Sequence, residues 1–121
     1  MTLTYSTFPN TLIQLIPEFK PLLDEHIHDN DEVLSHVLMG DFTRFFIDVF
    51  QQTKTDTTKK ELLNRCVAFV ETLFVSDDPL VQELGVASFI ENLQREKNAR
   101  EIRKLFVHKK VKTAFQAVFG S

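Results

Sequence analysis

The side chains best equipped for chemistry lie in one short polar run, Asp24-Glu25-His26-Ile27-His28-Asp29. Two imidazoles among three carboxylates are the residue types of a metal site. Their spacing argues against one. Helical ligand pairs stand three or four apart so that both rings face one point, whereas a spacing of two turns them about 200° from each other. The run reads as a polar surface cluster, and no metal or cofactor is expected. Cys66 is the only cysteine, so neither an intrachain disulfide nor a thiolate cluster can form, and within NRCVAFVE it reads as an apolar filler. No serine occupies a Gly-x-Ser-x-Gly elbow, and no histidine is placed by sequence beside Cys66. Three glycines, Gly40, Gly85 and Gly120, make no loop that could cradle a phosphate. Asp41 with Arg44, and Glu91 beside Asn92, are polar groups set among apolar residues. Capping, pairing and packing explain them better than acid–base catalysis, so no catalytic residue is assigned. His36, four residues after Glu32, suits an exposed pair, and His108 suits a helix junction.

Charge is distributed unevenly. Residues 1–41 carry seven acids against Lys20, whereas residues 95–121 carry eight bases against Glu96 and Glu101, within a net charge of −3. The acidic third offers Asp24, Glu25, Asp29, Asp31 and Glu32 to a basic partner. The basic segment 95–112 offers Arg100, Arg103, Lys104, Lys109, Lys110 and Lys112 to phosphates. Its bases spread around the helix and no exposed aromatic platform interleaves them. A solvated face, or attraction to the acidic third, is therefore the preferred reading over nucleic-acid contact.

The elements that must position these groups read as helices throughout. Asn10 is expected to cap TLIQLI, which Pro17 interrupts; PEFKPLLDEHIH follows, and the acids at 29–32 cap a helix from about Glu32. Gly40-Asp41 marks either a helix break or a close crossing inside one long helix. Phe42, Phe45, Phe46, Val49 and Phe50 make a stripe broad enough to be central. TKTDTT is the clearest loop, with Thr58 and Glu61 as a capping box for ELLNRCVAFVETLF. Asp78-Pro79 opens the next helix, with Leu80, Leu84, Ala87, Ile90 and Leu93 inward. Asn98 caps a short segment holding Ile102, Leu105 and Phe106. A last amphipathic helix with Val111, Ala114, Phe115 and Val118 stops at Gly120. No strand or hairpin signal occurs.

At 121 residues and 43% apolar content, with 12 Phe, the chain suits a single helical domain over 1–121 with a full core. The expected architecture is an all-α bundle of about five to seven helices, loosely like HEAT or armadillo repeats. MTLTYSTFPN has neither a positive n-region nor an apolar h-region, and no apolar run approaches ~20 residues. A cytoplasmic location is expected.

The stretch His36-x-Leu38-x-Gly40-Asp41-x-Thr43-Arg44-Phe45 and the later Ser88-Phe89-x-Glu91-Asn92-Leu93, with the IPEFKPLLDEH opening, resemble an uncharacterised bacterial family of helical domains. The resemblance implies an all-helical, non-enzymatic domain of the kind found as immunity partners of secreted toxins, including contact-dependent inhibition systems. The motif residues are expected to serve the fold: Gly40 for a close crossing, Asp41 and Arg44 for a cap and a pair, and Glu91 and Asn92 within the same structural set. The leading expectation is an immunity protein that binds and neutralises a cognate toxin nuclease through its acidic third. The alternative is a nucleic-acid-binding regulator using residues 95–112.

Overall fold

The computed structural model describes residues 3–120; the expected domain 1–121 therefore includes Met1, Thr2 and Ser121, which lie outside the described residues. Among the described residues there are seven helices and no strand. Among these residues no helix is long and apolar enough to cross a membrane.

α1 spans Phe8–Leu15 and carries Pro9 in its first turn, where a missing N–H breaks no helical bond. Asn10, expected as the cap, is thus already inside the helix. Phe8, Leu12 and Ile16, four residues apart, are buried. Pro17 then ends the helix and opens a 3-10 turn, Pro17–Phe19, that leads into α2, Lys20–Asn30. α2 buries only Leu23 and His26, so it lies on the outside of the bundle.

α3, Ser35–Gln52, is the hub. It runs unbroken through Gly40-Asp41, because a single Gly in a helix costs only about 1 kcal/mol and the burial of this face outweighs it. The helix begins after Leu34, later than the expected Glu32, so Asp31 and Glu32 belong to the connection before it. Phe42 and Phe46 anchor a continuous cluster of rings. Phe42 meets Phe19 at 5.7 Å and Phe69 at 5.3 Å. Phe46 meets Phe89 at 5.2 Å and Phe106 at 6.0 Å, and Phe106 in turn meets Phe115 at 5.6 Å. Offset and edge-on ring pairs of this kind add about 0.5–1.5 kcal/mol each beyond the area they bury. One ring system therefore ties α3 to the helices that carry Phe69, Phe89 and Phe115, to the connection that carries Phe106, and to the entrance of α2.

α4, Lys60–Val75, follows a 3-10 turn at Thr57–Lys59. Its expected stripe of Leu62, Cys66, Phe69, Val70 and Leu73 is buried. The cap differs from the expected box: Asp56 Oδ1 accepts the Thr58 N–H at 3.0 Å, and Glu61 turns to Arg65 instead. After Ser76, Asp78 Oδ1 accepts the Leu80 N–H at 3.0 Å ahead of Pro79, as the Ser-Asp-Asp-Pro run requires.

α5 is one helix in three stretches: α-helical Pro79–Glu83, π-helical Leu84–Ile90, and α-helical Glu91–Leu93. The wider π turn advances the inward face, so a stripe counted at 3.6 residues per turn drifts off the core. Ala87, within the π stretch, is half-buried; Leu80, also expected inside, lies before it in the opening α turn and is 53% exposed, with Val81 taking the inward position. Val81, Gly85, Ser88 and Phe89 are buried in addition to Leu84, Ile90 and Leu93. Gly85 is where two helices approach closely: a Cβ built there would stand 2.8 Å from the Phe74 ring. Gly40 has no such neighbour, its nearest atoms being side-chain nitrogens at 3.8 and 3.9 Å, so a close crossing is not its reason. α6, Ala99–Arg103, and α7, Lys109–Phe119, complete the bundle, and α7 ends on left-handed Gly120.

Candidate functional site

The most distinctive surface lies between α2 and α3, and its shape begins with how α2 ends. Asp31 adopts a left-handed conformation at φ 58°, its N–H bonded to Ile27 O at 2.8 Å, while Asn30 Nδ2 donates to His26 O. The chain then doubles back, and the Leu34 N–H donates to His26 Nε2 at 2.9 Å. His26 is thus a buried clamp rather than the surface residue expected. Because Nε2 accepts a hydrogen bond, the ring proton sits on Nδ1, which faces Asp41 Oδ2 at 3.7 Å. That distance is too long for a hydrogen bond and is an electrostatic contact. Asp41 also holds Arg44, three residues on, by an ion pair. It lies within α3 and so caps nothing. His28 is exposed, turned away from His26 as the two-residue spacing demands.

The result is a groove of about 560 Å³. Four carboxylates line it, Glu25, Asp29, Asp41 and Asp48, against the single guanidinium of Arg44, which Asp41 already engages. Leu22, Val37 and Phe45 give it an apolar component. Only two of the five acids singled out from sequence, Glu25 and Asp29, line this groove. Asp24 is turned to Lys20 at 2.8 Å, and Asp31 and Glu32 sit exposed in the connection. Asp48 was not singled out, yet it stands seven residues after Asp41 and four after Arg44, a spacing that puts all three on one helical face.

A second polar seam joins the two motif stretches across α3 and α5. Thr43 Oγ1 donates toward Met39 O at 2.7 Å and Ser88 O at 3.0 Å, and Asn92 Nδ2 donates to Ser88 O at 2.8 Å. His36 Nδ1 and the Ser88 hydroxyl are hydrogen-bonded. The expected pair of His36 with Glu32 is not made, because Glu32 lies outside the helix. The Asn92 bond stays within α5, and Glu91 is exposed to solvent.

Where α4 meets the end of α1 and the turn after it, Arg65 gathers Glu18 at 2.6 Å, Glu61 at 2.8 Å and the Leu15 carbonyl at 3.1 Å. Its guanidinium hydrogen bonds hold the Glu18 carboxyl down to about 2, and the two carboxylates push the Arg65 pKa upward. Cys66 is fully buried, and that burial pushes its thiol up to about 12, which leaves no reactive thiolate.

The basic residues lie on and between the last two helices. Arg100 and Arg103 lie on α6 and Lys104 at its end; Lys109, Lys110 and Lys112 lie in the first turns of α7. His108 caps α7, its Nδ1 accepting the Lys110 N–H at 3.1 Å. No ion pair among the described residues links this segment to the acidic residues 1–41.

Comparison of the chain with curated protein sequences and with solved structures finds no match. Over residues 9–119, all seven helices but the first residue of α1, the chain matches the family described as Domain of unknown function (DUF7674), and it belongs to that family.

Proposed function

We propose that this chain is a non-enzymatic protein-binding domain, a cytoplasmic immunity protein that docks its α2–α3 face onto a basic cognate toxin. The observation that carries the reading is the groove itself, where four carboxylates converge with exposed apolar side chains. Toxin nucleases are basic because they grip phosphates, and a carboxylate array steers such a partner and substitutes for its substrate's charge. The neighbouring Ile27, Leu34 and Val37 are large apolar residues left exposed, Val37 at 52%. A stable complex buries about 800 Å² per partner. The contact surface therefore runs from the groove across these residues, with apolar burial supplying affinity and the carboxylates supplying orientation and association rate. The toxin fitting this chemistry is a nuclease, as in contact-dependent inhibition systems.

The test is co-expression of the chain with the toxin encoded beside it. Protected cells and a co-purifying complex are expected. The triple variant Glu25→Lys/Asp29→Lys/Asp48→Lys is expected to keep its helical circular dichroism and lose protection. Unprotected cells with no complex, or full protection by the triple variant, would overturn the reading.

A further inference from the structure

Ion pairing separates the bases of the last third from most of the other cations. Of the six Lys and Arg residues before position 95, four are ion-paired: Lys20 with Asp24, Arg44 with Asp41, Lys54 with Glu101, and Arg65 with Glu18 and Glu61. Among the described residues, none of the eight bases from Arg95 to Lys112 has a carboxylate within ion-pairing distance.

Four of them, Arg100, Arg103, Lys104 and Lys112, converge with Phe106 and Val107 on one groove of about 670 Å³ that no acidic side chain lines. Its floor is rigid, because the Phe106 ring is buried against Phe46, Phe89 and Phe115. The Arg103 guanidinium is itself placed over the Phe119 ring at 5.8 Å. Like charges gathered in a concavity repel one another and raise the local potential, which an extended anion relieves. Val107, 78% exposed at the junction of α6 and α7, leaves an apolar edge beside the cations.

We propose that this groove binds the sugar–phosphate backbone of single-stranded nucleic acid without reading its sequence. Cations drawn from two helices suit a run of phosphates better than one compact anion. A concave seat suits a flexible strand better than the convex surface of a duplex. The one aromatic ring in the lining is buried, so there is no platform on which bases could stack and no source of base preference. The carboxylates of the α2–α3 face repel the same strand and so confine it to this surface. The proposal stands independently of the toxin-binding reading, which uses the other face.

Four phosphate contacts to a single strand predict a slope of log affinity on log salt near −3, which is a loss of roughly 50-fold between 50 and 200 mM salt. Fluorescence anisotropy of a labelled 15-nucleotide oligo-dT, titrated with the full chain from 25 to 200 mM NaCl, reads both quantities. The groove variant Arg103→Glu/Lys104→Glu/Lys112→Glu is expected to abolish binding. The variant Lys20→Glu/Lys59→Glu/Lys60→Glu, with the same change in net charge elsewhere, is expected to retain most of it. Should the groove variant fail to fold by circular dichroism, Arg100→Gln/Lys112→Gln gives the same comparison. No binding at 25 mM NaCl, equal loss in the two triple variants, or preference for phosphatidylserine vesicles or polyglutamate over the oligonucleotide would each overturn the proposal.

Discussion

Replacing Gly85 with alanine probes the tightest of the glycine contacts, that with the Phe74 ring. A Cβ at this position would stand 2.8, 2.9 and 3.3 Å from three carbons of the Phe74 ring, whereas carbon atoms in good contact sit about 3.5–4.0 Å apart. The ring would have to retreat by roughly 0.5–1 Å. Phe74 is buried, so the displacement is passed to α4 and α5 instead of to solvent. Overpacking of this kind costs about 1–3 kcal/mol. Helix propensity returns about 1 kcal/mol on going from Gly to Ala, leaving a net destabilisation of about 1 kcal/mol. The chain has no Trp, so urea unfolding is best followed by far-ultraviolet circular dichroism. The midpoint should fall by about 0.5–1 M with the slope unchanged. The decisive comparison is with Phe74→Leu, which shortens the obstructing side chain: the double variant should be about 1 kcal/mol more stable than the sum of the two single losses. Strict additivity, or a Gly85→Ala protein more stable than the parent, would refute the steric account.

Three further outcomes follow from the same geometry. His26→Ala removes the acceptor of the Leu34 N–H and empties a buried site; a loss of about 2–3 kcal/mol is expected, with faster amide exchange at residues 31–35. Asp31→Gly relieves a left-handed backbone in a residue with a side chain; a gain of about 0.5–1 kcal/mol in thermal unfolding is expected, and a loss would contradict the strain. Arg65→Met removes the partner that holds Glu18 down to about 2 from its ordinary 4.5. A depressed carboxyl stabilises the fold above its unfolded pKa, and the contribution disappears as pH falls from about 5 toward 2. Because these groups are partly exposed, the loss at pH 7 should be only about 1 kcal/mol, and unfolding of the variant should depend less on pH below 5.

The helical class, the first four residues of the TKTDTT loop, the Asp78-Pro79 start, the buried stripe of α4 and the Gly120 stop were all legible from residue order. Each depends on local chemistry: a 3.6-residue period, a side chain that caps its own helix, or a glycine able to turn left. Packing between distant segments decided the rest. The π turn in α5 left Ala87 half-buried and brought Ser88 and Phe89 inside, and no count at helical spacing anticipates a change of pitch. Which glycine is sterically required, Gly85 and not Gly40, depends on a Phe74 ring that arrives from another helix. Whether His26 meets water or the Leu34 N–H depends on where the chain doubles back after Asp31. The acidic groove likewise exists only because α2 lies along α3 and places Glu25 and Asp29 beside Asp41 and Asp48. Periodicity reports which face of a helix is apolar; it carries no information about which neighbour that face will meet.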